Sequence, residues 1–219
     1  MKIVQKNLFG NPYIGCFCLA TEDFALVPLE TPENFVKEVE KALKVSVIRC
    51  KIADSSLIGI LAAANSYAIF LPSICEDDEE KKLKEELDVK IKRFNVKYTA
   101  IGNLLLLNDN GIVASSLIAK HARKFAEFLN IKFGCTTIAK SDLVGSSGIA
   151  TNRGAVVNID ITEDEKKIVE NTLDVEVTPC TANHGKPFIG ACMIANSKGA
   201  IIGGLTTSIE ISKMYQALA

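Results

Sequence analysis

The sequence has no surplus of basic charge, no cysteine pair at metal-binding spacing and no long apolar run. Its 25 lysines and arginines face 26 aspartates and glutamates, for a net charge of −1. Proteins that grip nucleic acid mainly through phosphates carry a basic excess, because that attraction supplies most non-specific affinity. Any nucleic-acid contact here is therefore expected to be local. The seven cysteines, Cys16, Cys18, Cys50, Cys75, Cys135, Cys180 and Cys192, are an odd number and include no CxxC. Most lie in apolar runs, which fits buried reduced thiols better than a disulfide frame or a zinc site. Cys16-Phe17-Cys18 holds the one close pair, and on a strand those two thiols would share a face. The longest apolar region, Leu57 to Pro72, is broken by Asn65-Ser66-Tyr67, short of the roughly 18 residues of a membrane span. Met1 to Asn7 has no apolar core of signal-peptide length. A cytoplasmic protein with no membrane contact is expected.

What the sequence does have is a repeat. Aliphatic-glycine pairs stand at Ile14-Gly15, Ile58-Gly59, Ile101-Gly102, Val144-Gly145 and Ile189-Gly190, with the glycines 44, 43, 43 and 45 residues apart. Six positions after each glycine comes Thr21, Asn65, Asn108, Thr151 or Asn196, then a polar turn and a second apolar run. Asn and Gly tolerate the positive φ that tight turns demand. A period held over five units is the mark of a repeat architecture. Units of this length cannot bury an apolar face alone, so one domain covering 1–219 is expected, with units near 11–55, 56–98, 99–141, 142–186 and 187–219 plus 1–10.

Each unit reads as strand, strand, helix, strand. In the first, Cys16–Ala20 and Phe24–Val27 are followed by Thr31-Pro32-Glu33, a helix start with a capping Thr and a Pro at the first helical position. In the second, Ile60–Ala64 and Ala68–Leu71 precede a densely charged helix, about Asp77 to Leu87, seamed by Leu83 and Leu87. Its run Glu76 to Lys82 reads as a solvated face with acids at the favourable end. The third helix, about Leu117 to Leu129, turns Ile118, Ala122, Phe125 and Leu129 inward and leaves His121 on the polar side. Thr162-Glu163-Asp164-Glu165 and Thr207-Ser208-Ile209-Glu210 are capping boxes. The fifth unit stops without a third strand. The strand-like Met1–Asn7 is expected to supply it and so close a ring whose edges would otherwise invite aggregation.

Five such units, closed by the first strand, resemble the pentein fold, a five-fold pseudo-symmetric α/β propeller. Over its whole length the chain is similar to the archaeal and eukaryotic initiation factor 6 family. The resemblance rests on Asn11-Pro12-Tyr13-Ile14-Gly15-Cys16-Phe17, Pro32-Glu33-Asn34-Phe35, Ala100-Ile101-Gly102-Asn103, Asp142-Leu143-Val144-Gly145-Ser146, Thr151-Asn152-Arg153-Gly154 and Thr206-Thr207-Ser208-Ile209-Glu210. The ending at Ala219 resembles the shorter archaeal form, without the eukaryotic tail.

The resemblance implies an anti-association factor. It would bind the large ribosomal subunit on its intersubunit face, chiefly through a uL14-class ribosomal protein near the sarcin-ricin loop, as a monomer. It would block joining of the small subunit and take part in large-subunit maturation. A mainly protein–protein contact needs no basic field. The residues after the five glycines, Cys16, Ile60, Asn103, Ser146 and Ala191, are expected to form a circle at one end of the inner strands. By resemblance that end faces the ribosome, with polar Asn103 and an exposed Ile60 foremost. Packing inside as ordinary strand starts is the alternative. The positions from Thr21 to Asn196 read as turn formers.

Other penteins are enzymes that attack guanidino groups with a cysteine, a histidine and carboxylates. Only His121 and His184 are available here, and Cys192 near His184 is the one pair worth testing. Cys192 sits among Ala191, Met193 and Ile194, a setting for an inert thiol. No catalytic role, metal or cofactor is expected.

Overall fold

A computed structural model describes residues 1–219. After β1 (Lys2–Lys6), the chain lays down similar units. The first contains α1 (Ile14–Phe17), β2 (Leu19–Ala20), β3 (Phe24–Pro28), α2 (Glu33–Leu43) and β4 (Ser46–Cys50). The second contains α3 (Ile58–Leu61), β5 (Ala63–Ala64), β6 (Ala68–Pro72), α4 (Asp77–Glu86) and β7 (Lys90–Phe94). The third contains α5 (Ile101–Leu104), β8 (Leu105–Leu107), β9 (Gly111–Ala114), α6 (Ala119–Leu129) and β10 (Lys132–Cys135). The fourth has β11 (Gly148–Ala150), β12 (Gly154–Asn158), α7 (Glu163–Leu173) and β13 (Glu176–Cys180). The fifth has α8 (Ile189–Cys192), β14 (Met193–Asn196), β15 (Gly199–Gly203) and α9 (Ser208–Leu218). No helix is long and apolar enough to cross a membrane.

The strands make five three-stranded sheets. In each, the middle strand pairs antiparallel with the short inner strand and parallel with the outer one. A middle strand flanked on both edges and covered on both faces should be almost wholly apolar, and β3, β6, β9, β12 and β15 are buried at every residue, with Asn158 at the end of β12 the one polar side chain. In the fifth sheet the outer position is taken by β1, which runs parallel to β15 from Lys2 opposite Gly199 to Lys6 opposite Gly203. The expected exchange of the first strand is thus present.

Burial is organised at the seams between units. Five apolar clusters of 9 to 13 buried residues each draw on two neighbouring units. One of them joins the fifth unit to the first through Ile194 and Ile201 against Leu8, Val27 and Leu43. With each large apolar side chain contributing about 1.5–3 kcal/mol on burial, every seam far outweighs what an isolated unit could gather. Aromatic packing adds to the seam between the second and third units, where the Phe94 and Phe125 rings lie 4.6 Å apart.

The inner apolar runs depart from the expected strands. Ile14–Phe17, Ile58–Leu61, Ile101–Leu104 and Ile189–Cys192 form single helical turns, and the strand begins only afterwards. Crowding explains the change. A Cβ on Gly59 would fall 1.9 Å from the carbonyl oxygen of Gly15, and one on Gly15 would fall 1.9 Å from that of Gly190. Gly102, Gly145 and Gly190 stand in the same relation to Gly59, Gly102 and Gly145, so the series of contacts returns to its start. Five extended chains could not converge that closely. A tight turn that presents a bare Cα can. Period-2 reasoning misses it because a four-residue apolar run has the same composition in either conformation.

Two smaller expectations also change. The Cys16-Phe17-Cys18 pair does not share a strand face, since Cys16 lies half-buried in the helical turn and Cys18 is buried behind it. His121 is half-buried, with its ring 6.5 Å from that of Phe94. It precedes Phe125 by one helical turn and so shares a ridge with the apolar stripe.

Candidate functional site

Four helical turns and the corresponding turn at residues 144–147 bring the five residues after the glycines together. Cys16, Ile60, Asn103, Ser146 and Ala191, with their glycines, line one small depression of about 20 Å³. Its lining is stitched between units. The Ser146 hydroxyl donates to the Asn103 side-chain oxygen at 2.8 Å, and the Gly145 and Gly190 amides donate to the Asn103 and Ser146 carbonyls at 2.9 Å each. The Cys16 thiol lies 3.9 Å from the Ala191 carbonyl, and burial pushes its pKa up. All five residues are half-buried, so neither the expected exposure of Ile60 nor full packing inside is found. The circle sits on the helical turns, not at the ends of the inner strands.

Around it lies an apolar rim that the sequence reading did not pick out. The residues two before each glycine are Tyr13, Leu57, Ala100, Leu143 and Phe188. Leu57, Leu143 and Phe188 are 37%, 39% and 41% exposed. Tyr13, Leu57, Ala100 and Phe188 immediately precede the helical turns that carry the circle. Their fixed spacing from the glycines was the available signal. Exposed aliphatic and aromatic side chains around a half-polar centre have the composition of a protein-contact surface.

Behind the circle is an apolar cavity of about 80 Å³, lined by the five glycines and small or aliphatic side chains such as Ala62, Ala63, Leu105, Ile149 and Met193. At its far end lie Thr21, Asn65, Asn108, Thr151 and Asn196, all buried and all turn formers as expected. Each side-chain oxygen accepts the amides two and three residues on. Asn65 takes those of Tyr67 and Ala68, and Thr151 those of Arg153 and Gly154. The asparagines also use their NH₂ groups across seams, Asn65 to the Asn108 carbonyl and Asn196 to that of Thr21. Glu22 extends this end further, its carboxylate accepting from the amides of Ser197 and Asn152. The five turn formers are thus spent internally, whereas Asp23, Tyr67, Arg153 and Lys198 beside them stay exposed.

Three glutamates clasp neighbouring units together, a role beyond the capping expected of Glu165 and Glu210 and the solvated face expected of Glu79. Glu79, Glu165 and Glu210 are each the third residue of a long helix and complete a capping box. Each also accepts two consecutive amides from the turn that enters its unit. Glu79 takes those of Ala53 and Asp54 at 2.7 and 2.8 Å. Glu165 takes Ala139 and Lys140 at 3.0 and 2.9 Å, and Glu210 takes His184 and Gly185 at 3.3 and 2.8 Å. Burial pushes the Glu165 carboxyl up, but donors from Thr137, Thr162 and Lys140 together outweigh it and bring it down to about 2. For Glu210, burial is outweighed by donors from Thr207, Gly185 and Thr181, again to about 2. The charged helix α4 is otherwise solvated as expected, with Arg93 paired to Asp77 and Glu80.

The thiol and imidazole of the enzymatic alternative are kept apart in character. Cys192 is completely buried, and desolvation pushes its thiol up to about 12. A nucleophile needs the opposite shift. His184 is exposed on its loop, and its amide is committed to Glu210. Cys18, Cys50, Cys75 and Cys180 are buried as expected, whereas Cys135 is exposed at the end of its outer strand.

The model of the eIF-6 family matches residues 3–217, and the chain belongs to that family. Among individual relatives, Translation initiation factor 6 of Methanocaldococcus jannaschii is 36% identical over 222 residues, covering 99% of this chain and 97% of that protein. Translation initiation factor 6 of Pyrococcus horikoshii is 36% identical over 224 residues, 100% of this chain and 99% of that one. Among solved structures, a dimethylarginine dimethylaminohydrolase adduct with S-methyl-L-thiocitrulline is similar with a TM-score of 0.49 and 13% identity, over 76% of this chain and 68% of that one.

Proposed function

We propose that this chain acts in translation initiation as a subunit anti-association factor. It binds the large ribosomal subunit on the intersubunit face and excludes the small subunit by bulk, with a further role in large-subunit maturation. The partner is chiefly a uL14-class ribosomal protein near the sarcin-ricin loop, and the contact face is the one bearing Cys16, Ile60, Asn103, Ser146 and Ala191. The protein works in the cytoplasm, as a monomer, without catalysis, and as one five-repeat domain of the pentein propeller type. The observation that carries the reading is the full-length relation to proteins named translation initiation factor 6.

The physical character of the face supports it. A net charge of −1 provides no general attraction to RNA, whereas Leu57, Leu143 and Phe188 offer the apolar contact that protein interfaces favour at their centres. A rigid support behind the face also helps, because a preorganised surface gives up less conformational freedom on binding. Subunit joining tests the function. Added to separated archaeal subunits, the protein should suppress formation of the joined ribosome in proportion to its occupancy of the large subunit. Unimpeded joining at saturating protein would refute anti-association.

A further inference from the structure

Four of the five unit-entry turns repeat one device, and the first copy differs from the other three in a telling way. In three copies consecutive residues take left-handed backbone: Ala53 and Asp54 (φ 54° and 52°), Ala139 and Lys140 (52° and 61°), and His184 and Gly185 (61° and 88°), the last pair preceded by Asn183 (45°) in a turn one residue longer. Side by side, their amides aim at one point, and in all three a glutamate carboxylate receives both. The first unit builds the same turn. Leu8 and Asn11 close it with reciprocal backbone hydrogen bonds of 3.0 and 2.8 Å, just as Ile52 and Ser55 or Ile138 and Ser141 do. Phe9 and Gly10 then adopt φ of 53° and 75°.

In this copy the glutamate's place on the following helix is held by Phe35. Its side chain is buried in an apolar cluster with Val36 and Val39. The Phe9 and Gly10 amides have no partner within the chain. A groove of about 190 Å³ opens beside them, lined by Lys6, Asn7, Leu8, Phe9, Pro32, Asn34 and Phe35. Lys6 is in no ion pair, and Phe9 is 49% exposed, edge-on to Phe17 at 5.8 Å between centroids. Gly10 lies five residues before Gly15, and the Phe9 ring meets Phe17, the neighbour of Cys16 on its helical turn.

We propose that the Phe9–Gly10 turn is a docking notch for a glutamate or aspartate side chain of a protein partner. The carboxylate occupies the position that Glu79, Glu165 and Glu210 occupy in the other copies. In the adjoining mixed groove Leu8, Phe9 and Phe35 hold the partner's neighbouring hydrocarbon, and the Lys6 ammonium adds charge complementarity. The chain itself identifies the ligand chemistry, since the same pair of amides binds carboxylate wherever the sequence supplies one. Charge-assisted hydrogen bonds to both oxygens give such a site directional specificity over neutral amides. The inference goes beyond the ribosomal reading, because it concerns one side chain and one turn whatever protein presents the acid.

The test uses the isolated ¹⁵N-labelled protein, so its outcome is independent of any ribosomal experiment. Acetyl-Leu-Glu-Leu-amide is titrated in, followed separately by acetyl-Leu-Gln-Leu-amide. Expected are saturable downfield shifts of the Phe9 and Gly10 amides with the Glu peptide and binding at least about tenfold weaker with the Gln peptide. Equal responses to the two peptides, no response, or shifts confined to other lysine-bearing surfaces would overturn the proposal. A Phe35→Glu variant extends the test by supplying an internal carboxylate. Its Phe9 and Gly10 amides should be shifted before any peptide is added and should ignore the Glu peptide. A folded variant that responds to the peptide as wild type does would count equally against the notch.

Discussion

Acid should loosen this protein at its inter-unit clasps, and Glu165 is the best place to measure it. Its carboxyl lies at about 2 in the folded protein, against an ordinary value of 4.5. Each pKa unit corresponds to about 1.4 kcal/mol, which sets a ceiling of about 3 kcal/mol for the shift. Glu165 is 7% exposed, so solvent still screens one edge, and about 1–2 kcal/mol is a fairer expectation. The sign follows from linkage. A folded-state pKa below the unfolded one gives stability that is complete above about pH 4.5 and is lost as pH falls toward about 2. Glu165→Gln keeps the shape and removes the charge. Urea unfolding should therefore find the variant less stable by about 1–2 kcal/mol at pH 7, with the gap closing between about pH 4.5 and 2 as wild-type Glu165 becomes neutral too. A gap that stays constant over that range would mean that packing, not the charged clasp, accounts for the loss, and the reasoning would fail.

Other consequences are open to direct measurement. Gly59→Ala, whose Cβ would meet the Gly15 carbonyl oxygen at 1.9 Å, should cost more than about 3 kcal/mol or abolish folding. Gly10→Ala meets nothing within 4 Å and should cost only about 1 kcal/mol for its positive φ, with thermal melts separating the two. Removing residues 1–10 strips β1 from β15, and size-exclusion chromatography should show aggregation; a folded monomer would contradict the strand exchange. In the native state a thiol reagent should label Cys135 rapidly and spare Cys18, Cys50, Cys75, Cys180 and Cys192 until unfolding, as peptide mapping would reveal.

Much of the fold was legible because the repeat carries it. Glycine spacing located the five units, and the orphan segment at Met1–Asn7 was correctly matched to the strandless fifth unit. The turn-forming roles of Thr21 and Asn65 followed from local chemistry that no tertiary contact overrides. The helical turns at Ile14–Phe17 and its counterparts were not legible, since their conformation is set by neighbours more than 40 residues away in sequence. The same holds for Glu79. Its place in an acidic run suggested a solvated face, while its contact with Ala53 and Asp54 depends on a turn whose left-handed φ values no residue type announced. The five residues of the circle do come together, but on turns and not at strand ends, and their half-burial depends on how closely the five turns crowd. Only the assembled structure sets that.

A face that engages the large ribosomal subunit by a mainly protein–protein contact, as proposed, should bind it even at raised salt. Co-sedimentation of the purified protein with separated large and small archaeal subunits, over a salt series, tests it most directly. The account predicts binding to the large subunit alone, with shallow salt dependence, and at least about tenfold weaker binding by Asn103→Arg at unchanged melting temperature. Binding to neither subunit, or Asn103→Arg binding as wild type does, would contradict it.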